Sequence, residues 1–318
     1  MQTPLGWAAS RCSLTPRALR WATTAALLVS IVIIFTGGLV RVTGSGLGCP
    51  NAAVLCEADS LLPTAELGIH GIIEFANRAF TAVVIVAVGW VIVAARLQRP
   101  RVRAITRLAW SQFWLVVANA VVGAVTVQIR LNPWVVAAHF VLAIALLATT
   151  TLTWHRVHEK RPGPAGTVAR HTAVLARLLV AFTLVLIVVG TLVTGTGPHA
   201  GDSDEVPRMP LDWLTVTIVH GALAVVVFVI AIGLLTTNRG ADGRARLIRR
   251  RVIVLIVVLL AQGLAGTVQA LTGLPAALVS FHLLGAALVW VGAFRVLLDA
   301  HPALFAGVGG TRESSADS

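Results

Sequence analysis

The chain has 318 residues, 57% of them hydrophobic and only 12% charged, with a mean hydropathy of +0.87. A soluble globular domain carries about twice that charge. The net charge of +12 does not read as a nucleic-acid footprint, because no aromatic stacking residues interleave the arginines; the basic residues gather in alternate connections between apolar runs, which marks one face of a membrane.

Eight apolar runs are each long enough to cross a bilayer as a helix, near residues 21–42, 67–94, 108–128, 133–154, 174–194, 213–235, 252–271 and 275–298. Arg11, Arg17 and Arg20 precede the first run, which continues without a cleavage signal into Gly38-Leu39-Val40-Arg41-Val42-Thr43-Gly44-Ser45-Gly46. Arg41 lies at the outer end, against the charge trend, which suits either an anionic partner or plain interfacial placement. Cys49 and Cys56 follow in the first outer connection. They fit a disulfide in an oxidising compartment or a redox-active pair.

Run 2 carries His70, Glu74, Asn77 and Arg78. The first three share a face at i, i+4 and i+7. A carboxylate inside a membrane is costly and is a functional candidate by default; its plain alternative is a structural partner for Arg78 or Arg41. Arg78 suits an anchor for an anionic group or an intrahelical partner of Glu74. A basic connection from Arg96 to Arg107 leads to run 3, which ends in Thr126-Val127-Gln128. Pro133 and His139 then open run 4.

The second half repeats these features. Gly190-Thr191-Leu192-Val193-Thr194-Gly195-Thr196-Gly197 ends run 5. A His-Gly step at His220 matches the one at His70. Thr267-Val268-Gln269, Pro275 and His282 match the passage from run 3 to run 4. Gln128 and Gln269 are expected to make interhelical hydrogen bonds. The fold expected is an all-α polytopic membrane protein, with eight transmembrane helices arranged as two parallel-repeat four-helix bundles. Residues 1–154 form the first bundle, 155–177 a cytoplasmic linker, 178–304 the second bundle and 305–318 a disordered tail. The basic connections place both termini in the cytoplasm. Glu57, Asp59, Asp202, Asp204, Glu205 and Asp212 lie on the opposite face.

His70, His139, His220 and His282 then fall at matching depths near the outer face. A lone buried histidine usually bonds a neighbouring hydroxyl or carbonyl. Four at one level in a duplicated fold point to metal ligation. Zinc favours a compact tetrahedral cluster, often with thiolates, whereas ligands on separate helices suit two axial pairs around a flat iron macrocycle. His155, His158, His171, His199 and His301 lie at helix ends or in loops and are expected to be solvated. Trp154, Trp213 and Trp290 read as anchors or packing.

The segment from Gly37 to Pro50, the Cys49 and Cys56 pair, Glu74-Phe75-Ala76-Asn77-Arg78 and the histidines His139, His220 and His282 resemble the heme A synthase family, in its bacterial form with a cysteine pair in the first outer loop. The resemblance spans nearly the whole chain. It implies oxidation of a methyl group of heme O to a formyl group, giving heme A for aa3-type terminal oxidases. It further implies a heme b held by His220 and His282, substrate heme O in the first half with His139 as one ligand, and Glu74 as an essential acidic residue. The cysteine pair is implicated in heme transfer or electron supply. Arg41 and Arg78 would meet heme propionates. Heme O synthase, an electron donor and further copies of the chain are the expected partners in the plasma membrane, with no nucleic acid.

One departure stands out. Many family members have His where this chain has Asn77. The His-Gly repeat makes His70 the expected second ligand, with Asn77 a polar residue behind it; the alternative is iron held by His139 alone with one open position. Two rival functions use the same features: a di-heme b-type electron-transfer cytochrome, and a transporter, which leaves the histidines without purpose.

Overall fold

A computed structural model describes residues 10–49, 56, 60, 62–158, 168–199, 201–202, 206–240 and 242–301. Pro50, Glu57, Asp59, Asp204, Glu205 and the tail 305–318 lie outside the described residues. Eight long helices form: α1 Pro16–Val42, α2 Gly68–Arg96, α3 Arg103–Gln128, α4 Pro133–His158, α5 Arg170–Thr196, α6 Trp213–Thr237, α7 Gly243–Leu271 and α8 Ala276–Ala300. All are long and apolar enough to cross a membrane, so the chain is a multi-pass membrane protein. No strand forms among the described residues; a single bridge joins Ser45 and Asp202.

The helix ends follow local chemistry. Thr15 caps α1, its hydroxyl accepting from the Ala18 amide, with Pro16 in the first turn. Asp212 and Asp242 cap α6 and α7 by accepting from Thr215 and Ala245. These bonds hold the Asp212 carboxyl below its usual range. A tight turn with positive φ at Arg130 and Leu131 joins α3 to α4, and one at Gly273 and Leu274 joins α7 to α8. Several helices run past their apolar stretches. Helix α4 reaches His158 and α5 starts at Arg170, both inside the expected linker. Hydropathy marks only the apolar part of a helix; charged turns at its ends continue it into the polar zone.

Helices α1 to α4 close one ring of neighbours, and α5 to α8 close another in the same order. The rings meet where α1 packs on α8, α4 on α8 and α4 on α5. Leu27, Ile34, Ile144, Leu147, Ile187, Ala287 and Trp290 form the apolar seam. Polar ties close both ends of it. On the outer side the Gly46 amide donates to Gly201 O at 2.7 Å and the Leu47 amide to Asp202 Oδ2 at 2.8 Å. On the arginine-rich side His155 Nε2 of α4 stands 3.8 Å from Asp299 Oδ1 of α8, and within the second bundle Arg251 Nε of α7 donates to Asp299 Oδ2 at 3.1 Å.

The end histidines are therefore not generally solvated. His158 stacks on Trp154 at 4.5 Å and reaches Thr24. His199 Nε2 bonds Leu274 O at 2.7 Å, and Arg177 Nε donates to His301. Only His171 is exposed among the five. These contacts join different helices, within one bundle for His158 and His301 and across the seam for His155, and single-helix reading does not register them.

Breaking the Arg251–Asp299 pair leaves a buried carboxylate short of a partner, at a cost of about 1–3 kcal/mol. Arg251→Met should lower the melting temperature in detergent, and Arg251→Met/Asp299→Leu should recover most of the loss. Equal stability of wild type and Arg251→Met would show that the packing of α7 on α8 does not depend on this pair.

Candidate functional site

A cavity of about 1640 Å³ runs through both bundles, in the half away from the arginine-rich connections. It exceeds the roughly 300–1,000 Å³ of an ordinary small-molecule site. His139, His220 and His282 line it, with Arg41, Glu74, Asn77 and Arg78. The histidines lie six or seven residues into α4, α6 and α8, about 10 Å along each helix.

Each of these imidazoles packs against a glycine of the preceding helix. A Cβ at Gly123 would lie 3.2 Å from His139 Cε1, one at Gly190 3.1 Å from His220 Cε1, and one at Gly266 3.3 Å from His282 Cε1. A larger residue at any of the three would crowd the ring it faces. The Nδ1 atom is buried in all three without a hydrogen-bond partner, which leaves Nε2 as the nitrogen toward the cavity. The carbonyls of Asn119 and Leu186 stand beside His139 and His220, without closing a hydrogen bond to Nδ1. The rings of His220 and His282 lie at 64° to each other with centroids 6.4 Å apart. Two bonds of about 2.1 Å, usual between imidazole nitrogen and a first-row metal, plus half a ring on each side, fill about that distance. The donor set therefore fits an iron macrocycle held between the two rings.

The cavity walls of the two halves correspond position by position. Lining residues of α4 recur on α8 at an offset of 143 residues (His139 against His282), and the same offset relates α2 to α6. Glu74, Asn77, Arg78 and Thr81 thus match Thr217, His220, Gly221 and Ala224. Asn77 occupies the place of His220. His70 does not line the cavity; its Nδ1 is 3.0 Å from Ser45 Oγ. The expected pairing of His70 with His139 is not what the helix delivers. A 3₁₀ turn at Ala65–Leu67 delays α2 until Gly68, so His70 sits in the first turn. That is two turns, or about 10 Å, above Asn77.

Asn77 is held in one orientation, because Thr36 Oγ1 donates to its Oδ1 at 2.8 Å. The offset that pairs α1 with α5, 153 residues, sets Gly37 opposite Gly190. Space beside Gly37 is open, with nothing within 4 Å of a Cβ built there. The place where an imidazole would pack is vacant because asparagine is shorter.

Gln128 and Gln269 are not spatial counterparts. Gln269 lines the cavity with its Oε1 buried and unpartnered, while Gln128 is exposed beyond it. Neither makes the expected interhelical bond among the described residues. The glycines opposite the imidazoles and the Thr36 contact were missed by motif reading; recurrence of Gly123 and Gly266 at the histidine offset was the signal available.

Glu74 is buried and joins the disulfide loop to α2. Its Oε2 accepts from the Cys49 amide at 2.6 Å, and Oε1 accepts from Arg78 Nε at 3.0 Å. Arg78 also donates to Cys49 O at 3.1 Å. Cys49 and Cys56 form a disulfide. Arg41 donates to His199 O at 3.0 Å and Thr194 O at 2.8 Å, so part of its fork already ties the halves together.

The profile of the COX15-CtaA family, described as cytochrome oxidase assembly protein, matches residues 19–294. Heme A synthase of Staphylococcus epidermidis is 27% identical over 222 residues, covering 66% of this chain and 72% of that protein. Heme A synthase of Staphylococcus aureus is 26% identical over 226 residues, covering 67% and 72%. That of Staphylococcus haemolyticus is 30% identical over 128 residues, covering 40% and 41%.

A Cβ at Gly48 would lie 2.4 Å from the His70 carbonyl oxygen. Gly48→Ala should therefore push the disulfide loop off α2, lower the melting temperature and loosen the Cys49–Glu74 contact. Unchanged melting and unchanged access of reductant to the disulfide would contradict that docking.

Proposed function

We propose that this chain, which belongs to the COX15-CtaA family of cytochrome oxidase assembly proteins, is a heme A synthase that oxidises a methyl group of heme O to a formyl group, yielding heme A for aa3-type terminal oxidases. The observation that carries the reading is the pair His220 and His282, 6.4 Å apart in a cavity that continues to His139.

His220 and His282 would hold heme b in the second bundle. Heme b supplies one-electron relay chemistry when bound. In the first bundle His139 holds the iron of the substrate from α4. Asn77, its Oδ1 bonded by Thr36, lines the cavity with His139 and leaves Nδ2 as its donor toward the substrate. Glu74 is the only carboxylate lining the cavity among the described residues, so proton exchange beside the substrate falls to it. The Cys49 amide and Arg78 hold that carboxylate at the wall. Arg41 and Arg78 line the cavity, and their positive charge suits the substrate propionates. The Cys49–Cys56 disulfide beside Glu74 suits a part in heme transfer or electron supply. Heme O arrives through the bilayer from the synthase that makes it, and an electron donor completes the cycle. By the positive-inside rule the arginine-rich connections favour cytoplasmic termini and a cavity in the outer half of the plasma membrane.

Pigment extraction tests the reading. Co-production with a source of heme O should yield heme A or its hydroxylated precursor; heme b alone, with heme O unaltered, would instead mark an electron-transfer cytochrome. His220→Ala and His282→Ala should lower bound heme b per chain by several-fold. Glu74→Ala should keep heme b and lose nearly all heme A; full output would remove Glu74 from the mechanism. Asn77→His should add a second imidazole to the substrate iron and abolish carbon monoxide binding to it. Undiminished carbon monoxide binding would mean that position 77 does not face the iron.

A further inference from the structure

At the arginine-rich end, α2 stops at Arg96 and α3 begins at Arg103. Arg96, Arg101, Arg103 and Arg107 converge on a pocket of about 460 Å³, completed by Trp110 and Trp114. Arginines that merely set topology can spread over a surface; these four share one concavity and repel one another. None pairs with a carboxylate among the described residues. Arg101 Nε donates weakly to Thr106 Oγ1 at 3.5 Å, and Arg96 Nε is buried without a partner. The first turn of α3 also lacks a side-chain cap, since Val102 holds the N-cap position. Its free amides and the helix dipole add to the attraction for an anion.

The pocket has a direction. Arg103, Arg107, Trp110 and Trp114 stand at i, i+4, i+7 and i+11, one stripe of α3. Val117 and Val121 continue it. Trp114 is 63%, Val117 37% and Val121 58% exposed. The stripe runs from guanidiniums at the helix end to bare apolar surface about 16 Å further along. A free phosphate would satisfy only the first part.

We propose that this pocket binds an anionic phospholipid, its phosphates among the four guanidiniums and an acyl chain along Trp114, Val117 and Val121. Guanidinium forks pair with phosphate oxygens two at a time, so four of them match a headgroup with two phosphates better than one. Basic pockets between membrane helices are suited to such headgroups. The lipid would clamp the α2–α3 corner at the far end of α2, the helix that carries Glu74 and Asn77.

The test uses the full chain, purified and delipidated in detergent, and native mass spectrometry with added lipid. Diphosphatidylglycerol should stay bound and raise the melting temperature by several degrees. Phosphatidylethanolamine should not, and inorganic phosphate in large excess should not displace the bound lipid. Arg103→Gln/Arg107→Gln should weaken retention at least tenfold, and Trp114→Ala should weaken it less. Arg103→Lys/Arg107→Lys keeps the charge and should retain an intermediate amount, which guards against misfolding of the first variant. Arg249→Gln/Arg250→Gln, on another basic connection, should leave retention unchanged. Equal retention of both lipids, equal loss in the Arg249/Arg250 variant, or displacement by phosphate would overturn the proposal.

Discussion

Three imidazoles set deep in apolar helices, each pressed against a glycine, govern the architecture of the outer half of this protein. A buried polar group without a partner costs about 1–3 kcal/mol, and Nδ1 of His139, His220 and His282 has none. A protein retains such groups where they act. The glycines bring the neighbouring helices close enough to fix the ring planes, and the cavity opens on the other edge. Two bundles are needed because one ring of four helices supplies one such chamber. The seam ties at Gly46, Leu47, Arg41 and Asp299 hold the two bundles side by side.

The halves correspond in wall positions but not in chemistry. His282 and His139 are counterparts, whereas His220 is answered by Asn77. Glu74 and Arg78 are answered by Thr217 and Gly221, which carry no charge. One chamber is thus a closed pair of imidazoles suited to holding a resident group. The other combines a single imidazole, an oriented amide, a carboxylate and a guanidinium, which suits a group that arrives, reacts and leaves. Under the proposed function these few positions divide two similar bundles between retention and reaction.

Much of this was legible in the sequence. Eight spans, the charge asymmetry, the cysteine pair and the cavity histidines His139, His220 and His282 follow from length, composition and repetition. Helix phase did not. The His-Gly steps at His70 and His220 look alike, yet α2 starts at Gly68 and α6 at Trp213, so the two steps lie at different depths. The Thr-Val-Gln motifs of α3 and α7 mislead similarly, because their helices enter the turns at different points. Local resemblance fixes residue type, while the place where a helix begins fixes which residue faces the cavity. Contacts across the seam, such as His155 with Asp299, depend on two helices far apart in the chain and leave no local trace.

Low-temperature electron paramagnetic resonance of the oxidised, heme-loaded wild-type protein tests the division of labour most directly. One low-spin signal from a bis-imidazole iron, His220 with His282, and one separate high-spin signal from iron held by His139 are expected in equal amounts. Two low-spin bis-imidazole signals, or no imidazole-ligated iron at all, would contradict it.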